Sequence, residues 1–321
     1  MSGVVELKGV VMDFEVSLLG RKKRVRAVDN VTLSIAENEI YGLVGESGSG
    51  KSTIGRITLR LYKPTMGRIF FEGVDITDWS ERSLRRVRRR MQLIPQDPYS
   101  AINPVQTLGE ALAEPLIVHE KLDKREALDI TAKALEEVGL VPPEDFIHRK
   151  PHELSGGQLQ RAVIARSMIL RPRYVVADEP TSNLDASIRA SIVKLLLDLK
   201  NRYGLSMLFI THDIVLLSLI ADRVGVLYMG QLVEEGPADK VVKEPLHPYT
   251  KALLSAIPRV GGEVETEKVD LKGEIGDPSN PPPGCRLHPR CPFATERCRR
   301  EEPPLVRVNG RWAKCWLFYG K

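Results

Sequence analysis

The octapeptide Gly45-Glu46-Ser47-Gly48-Ser49-Gly50-Lys51-Ser52 has the form GxxxxGK followed by Ser or Thr. It stands between the compact apolar run Ile40–Val44 and Ser52–Leu61, whose apolar residues have helical spacing. Strand, glycine-rich loop and helix in that order leave few folds open. Glycines let the backbone wrap so that successive N–H groups point inward, and the helix starting near Lys51 adds its positive end. The loop is thereby a phosphate cradle. Gly45 through Thr53 are assigned to nucleotide, with Lys51 neutralising β and γ oxygens and Ser52 ligating Mg²⁺.

The rest of the chain divides by pattern. Residues 1 to about 95 read as short strands and turns followed by a helix. LGEALAEPLIVHE, KREALDITAKALEEVGL and LQRAVIARSMIL then carry apolar positions three and four apart, which predicts a helical insert over about 97–170. From Tyr174 the alternation returns: YVVAD, a helical IRASIVKLLLDLKNRYG, SMLFIT and a further helix, the pattern of a parallel sheet covered by helices. Residues 278–304 hold eight prolines and three cysteines, too many breakers for long regular elements, so a small irregular metal-binding appendage is expected there.

Two more polar groups fall at strand ends. Tyr174–Ala177 leads into Asp178-Glu179, and Ser206–Ile210 into Thr211-His212-Asp213. Open α/β sheets gather their chemistry at the carboxyl ends of strands, so one mouth can hold all three groups. Asp178 suits the Mg²⁺ shell, and Glu179 suits an attacking water's proton. Taken alone, such an Asp-Glu pair more often caps a helix, and a lone histidine is more often a surface group. The phosphate loop reverses those odds.

At Leu154-Ser155-Gly156-Gly157-Gln158 the sequence resembles the ABC transporter ATPase family. Ser155, Gly156 and Gly157 precede a helix predicted over Gln160–Leu170, which makes a second anion-binding helix start with no nucleotide of its own. The resemblance covers roughly residues 4–258. It implies an α/β fold with a P-loop NTPase (RecA-like) core, an N-terminal β-subdomain, the helical insert and the C-terminal extension. The domains are then 1–245 and 246–321. It also implies that Ser155–Gln158 close over the γ-phosphate held by another subunit. Gln96 in IPQDPYSAINP matches the glutamine loop, sensing the γ-phosphate, its water or Mg²⁺. Asp185 in Ser182-Asn183-Leu184-Asp185 matches the D-loop, with Asn183 where alanine is commoner, and His212 matches the switch histidine. Phe14 is the candidate to stack on adenine, with the nearby RKKRVR as the alternative.

His247-Pro248-Tyr249 through Leu254, Ala256-Ile257-Pro258 and PPPGCRLHPRCPFATERC resemble the C-terminal extension of dipeptide/oligopeptide importers, F-type. The resemblance implies an ATPase that pairs with a paralogous D-type subunit. Its other partners are two transmembrane permease subunits and an extracellular solute-binding protein. Related systems carry oligosaccharides or nickel. Cys285, Cys291, Cys298 and Cys315 are separated by five, six and sixteen residues, unlike the short pairs of structural zinc sites. Members of the subfamily carry a 4Fe–4S cluster here, which is the reading taken; zinc, and metal-free thiols or disulfides, stay open.

Composition excludes the other classes. No apolar stretch approaches the ~18–20 residues of a membrane span, and the N-terminus lacks the pattern of a secretory signal. A peripheral protein on the cytoplasmic face is expected, in a reducing compartment where clustered cysteines read as metal ligands. The 47 basic and 42 acidic residues leave +5, spread along the chain. The arginine-rich SLRRVRRR at 83–90 reads as the charged face of a helix, and no nucleic acid is expected.

Overall fold

The computed structural model describes residues 3–18, 21–256, 269–274 and 276–320. Ile257 and Pro258 of the importer-like segment lie outside them. The N-terminal stretch forms β1 (Val5–Leu18) and β2 (Arg21–Ile35), an antiparallel pair with Val5 opposite Ile35 and Phe14 opposite Val25. These strands are long, not short as the pattern predicts. Their pairing shifts register between Leu7 and Asp13, and bulges break the alternation that would mark one continuous strand. After β3 (Ile40–Val44), buried throughout, come α1 (Lys51–Thr58), β4 (Met66–Phe71) and β5 (Val74–Asp75). One sheet has the order β2-β1-β4-β5.

The middle of the chain runs α2 (Glu81–Arg88), β6 (Met91–Ile94), α3 (Leu108–His119), α4 (Lys124–Glu137), α5 (Glu144–Ile147) and α6 (Gly156–Met168). Then come β7 (Tyr174–Asp178), α7 (Ala186–Tyr203) and β8 (Ser206–Thr211). Local chemistry sets the helix starts. Thr107 with Glu110 and Asp123 with Glu126 form reciprocal capping boxes at α3 and α4. α7 stops at Gly204, whose φ of 62° ends the ladder in the left-handed region.

The C-terminal part comprises α8 (Ile214–Ile220), β9 (Arg223–Tyr228), β10 (Gln231–Pro237), α9 (Ala238–Lys243), α10 (Pro248–Ser255), α11 (Glu296–Arg300), β11 (Val306–Val308) and β12 (Arg311–Ala313). Across 278–304 the expected irregular backbone is interrupted only by the short α11, and regular strands follow it. β11 and β12 form a hairpin around Asn309-Gly310, both at positive φ, and Ala313 and Trp312 pair with Glu234 and Glu235 of β10. Asn-Gly between two strands is the standard hairpin signal. Buried Arg311 donates to the carbonyls of Lys240 and Glu244 at the end of α9.

Two compact units result: one of Met1–Ile35, Glu39–Asp78 and Thr211–Lys321, the other of Ala36–Asn38 and Trp79–Ile210. In the second, β6, β7 and β8 are parallel neighbours, with Tyr174 opposite both Met91 and Ser206. In the first, β3 pairs parallel with β9, followed by antiparallel β10, β12 and β11. The four-cysteine extension thus shares a unit with the phosphate loop. Among the described residues no helix is long and apolar enough to cross a membrane.

Candidate functional site: nucleotide motifs and a four-cysteine cavity

The phosphate loop follows β3 and runs into α1 as expected. Close backbone approach explains its outer glycines: a Cβ on Gly45 would sit 2.2 Å from the Leu227 carbonyl oxygen. Gly50, at φ 104°, would place one 2.3 Å from that of Ala27. The loop is tied down by Ser49 N–H to Glu46 O at 3.2 Å and Gly230 N–H to Ser49 O at 2.8 Å. Lys51 is 5% exposed, and its ammonium donates to the carbonyls of Gly45 (2.8 Å) and Glu46 (3.0 Å).

In the other unit, Asp178 ends β7, 4% exposed, and Glu179 follows with φ 45°, a left-handed conformation that costs a non-glycine residue roughly 1–3 kcal/mol. Glu179 N–H donates to Ile210 O at 3.0 Å, and its carbonyl accepts from Ser182 N–H (3.2 Å) and Oγ (3.0 Å). Gln96, just past β6, donates its amide to the Glu179 carboxylate at 3.3 Å. The structure thus brings these two predicted residues together, leaving the Gln96 amide oxygen for another ligand. The hydroxyl of Ser52, the carboxylate of Asp178 and that amide oxygen are hard donors of the kind Mg²⁺ takes.

The Leu154–Gln158 segment differs from its predicted form. α6 begins at Gly156, not Gln160, because Ser155 Oγ accepts Gln158 N–H (3.3 Å) while Gln158 Oε1 accepts Ser155 N–H (3.0 Å). This capping box was legible as Ser-x-x-Gln. A Cβ on Gly157 would meet Ile188 Cγ2 at 3.0 Å, so a larger residue here would have to displace that side chain of α7. Exposed Asp185 is the first cap residue of α7.

His212 is exposed after β8, and the adjacent Asp213, not His212, caps α8 through Val215 and Leu216 N–H. Phe14 meets Tyr62 edge-on at 5.5 Å, and Arg24 and Arg26 of the basic run both pair with Asp13.

All four cysteines line one cavity of about 180 Å³, together with His247, His288, Arg297 and Trp316. No disulfide joins them. Burial pushes the Cys285 thiol up to about 11 and Cys315 up to about 12, and raises Cys291; charge on neighbouring thiolates adds to each. Thiols whose ionisation burial disfavours, as at Cys285, Cys291 and Cys315, are donors whose thiolate form a multivalent cation would stabilise. Among the described residues, however, no group of three or more His, Cys, Asp or Glu is placed to hold a single metal ion.

Sequence reasoning missed His247, Tyr249 and Arg290 as partners of the site. His247 caps α10 with Nδ1 accepting Tyr249 N–H at 3.2 Å, and burial pushes its imidazole down to about 3 despite the opposing Lys314 backbone. The unfolded chain protonates this group near pH 6.5, so stability is lost as pH falls from there toward 3. Buried Glu234, which accepts Leu246 and His247 N–H, has a raised pKa and acts in the opposite sense. His247→Asn keeps a capping acceptor. It is expected to lose about 2 kcal/mol less stability than the unaltered chain between pH 7 and 5, by chemical denaturation at each pH.

A family model described as ABC transporter matches residues 28–182, and one described as Oligopeptide/dipeptide transporter, C-terminal region, matches residues 233–298. The chain is 49% identical over 296 residues to a peptide import ATP-binding protein of Brucella ovis, covering 92% of this chain and 93% of that one. It is 45% identical over 322 residues to the oligopeptide transport ATP-binding protein AppF of Bacillus subtilis, covering 98% and 97%. Among solved structures it is similar to the ATP-binding cassette MJ0796, in a dimeric post-hydrolysis state bound to ADP and Pi. There the TM-score is 0.66 and the identity 31%, with 73% of this chain and 98% of that one covered. These relatives, at 45% and 49% identity over more than nine-tenths of the chain, show that it is an ATP-hydrolysing cassette belonging to the ABC transporter family.

Proposed function

We propose that this chain powers import of di- and oligopeptides, as a peripheral ATPase on the cytoplasmic face of the membrane beneath two permease subunits fed by an extracellular solute-binding protein. The match of its C-terminal region to the oligopeptide/dipeptide transporter model carries this reading, supported by peptide-import relatives over more than nine-tenths of the chain. The second cassette is a D-type paralogue. Each cassette presents its Ser155-type helix start, flanked by its Asp185-type loop, to the γ-phosphate on its neighbour.

Within this reading Lys51 and the loop amides hold the phosphates, while Ser52, Asp178 and Gln96 would hold Mg²⁺, which would supply positive charge against the phosphates. Glu179 takes the proton of the attacking water and His212 holds the γ-phosphate. Phe14 stacks on adenine. Turnover of the chain reconstituted with permeases and receptor is expected to rise severalfold with peptide; stimulation by an oligosaccharide or by nickel instead would overturn the cargo.

We also assign Cys285, Cys291, Cys298 and Cys315 to a 4Fe–4S cluster. The lining of one cavity by all four thiols is what supports this reading. The cluster would pin a proline-rich segment with little core of its own. Anaerobically purified protein is expected to contain about four iron and four sulfide per chain with broad visible absorption; stoichiometric zinc without sulfide contradicts the assignment.

A further inference from the structure

Glu46 is an awkward residue for a phosphate cradle, since its carboxylate carries the same sign as the ligand. The structure answers that charge from the C-terminal extension. Arg290 forms a two-pronged ion pair with it, Nη1 to Oε2 at 2.9 Å and Nη2 to Oε1 at 3.3 Å, and the two side chains are 11% and 27% exposed. Glu46 N–H donates to the Tyr249 hydroxyl at 2.8 Å. Tyr249 is fully buried, its ring 4.7 Å from that of Tyr228, and the Arg290 guanidinium lies 5.9 Å from the Tyr228 ring.

These groups are themselves anchored. Arg290 and Cys291 both donate N–H to Leu287 O at 2.9 Å, His288 N–H donates to Cys285 O at 2.9 Å, and Lys272 N–H donates to Arg290 O at 3.0 Å. Arg290 therefore rides on the wound turn between two of the four cysteines. Beside it, Arg286 donates to Met229 O and to Asp29. A forked, charge-assisted pair fixes both position and charge better than a single contact does.

We propose that the four-cysteine extension is a positioning element for the phosphate loop, acting through Arg290 and Tyr249 on Glu46 to set nucleotide affinity. Arg290 cancels the Glu46 charge, and Tyr249 fixes the Glu46 peptide whose carbonyl receives Lys51. The extension is then part of the nucleotide site at second hand as well as a tail. The proposal rests on nucleotide binding at this loop, which the unaltered chain verifies in the same assay.

Equilibrium binding of a fluorescent MgADP to the full-length chain, with KM and kcat for MgATP, tests it. Arg290→Met is expected to weaken binding and raise KM about tenfold, with kcat at saturation changed less than about twofold. Glu46→Gln removes the charge that Arg290 answers, so adding Arg290→Met to it is expected to have little further effect. Arg290→Lys, which restores charge without the fork, is expected to recover part of the loss. An Arg290→Met affinity within twofold of the unaltered chain overturns the proposal, as does a loss that persists in full beside Glu46→Gln. Should Arg290→Met not fold, Tyr249→Phe removes only a hydroxyl: weakening of about threefold or more upholds the proposal, and unchanged binding overturns it.

Discussion

Glu179→Gln is expected to lower steady-state ATP turnover by at least about a hundredfold, the share a positioned general base contributes. MgATP binding should stay within a few-fold of the unaltered chain. The substitution keeps size and leaves the backbone ties to Ile210 and Ser182 in place, and the new amide can still accept from Gln96 through its oxygen. The carboxylate's charge and its ability to take a proton are lost. The residue is held at φ 45°, a conformation a non-glycine side chain keeps only when its surroundings over-determine it. A variant that binds and cannot cleave should also accumulate in the closed two-cassette form with MgATP. Undiminished turnover would remove Glu179 from its assigned role.

Lys51→Met should fail earlier in the cycle. Its ammonium is buried at the start of α1 and directed at the loop, donating to Gly45 and Glu46 carbonyls. Replacing it removes the positive side chain assigned to the β and γ oxygens while keeping comparable bulk. A lost charge-assisted contact of roughly 3 kcal/mol corresponds to about a hundredfold weaker MgATP binding, with turnover falling at least as far. The two variants thus separate: one loses cleavage with binding intact, the other loses binding. Equilibrium nucleotide binding beside steady-state kinetics distinguishes them, and a Lys51→Met chain that binds MgATP normally contradicts the phosphate assignment.

The parts of this molecule legible in its sequence are those specified over short range. The strand-loop-helix around Lys51, the buried strands Tyr174–Asp178 and Ser206–Thr211 and the helices of the insert follow from periodicity and glycine placement. Other local signals were present and unread: Ser155-x-x-Gln158 fixes the start of α6, and Asn309-Gly310 makes the hairpin that joins β10. The length of β1 and β2 is masked by their bulges.

What no local pattern specifies is the contact of Arg290 with Glu46, 244 positions apart, or of Tyr249 with the same residue. Such pairings depend on the extension folding back through turns whose register periodicity does not encode. The four cysteines show the mixed case. Their residue type and clustering point to a shared site, but only the fold shows that all four line one cavity.

In the proposed reading the nucleotide pocket is finished by a second cassette. Turnover per chain in a mixture with the D-type paralogue, measured against protein concentration with mass determined by light scattering in the same solution, tests this directly. Turnover should rise as monomers give way to two-cassette assemblies, and Ser155→Ala should depress it in the assembly while leaving nucleotide binding by the single chain unchanged. Full-rate hydrolysis by a strictly monomeric chain, indifferent to concentration and to replacement of Ser155 and Gly157, would contradict it.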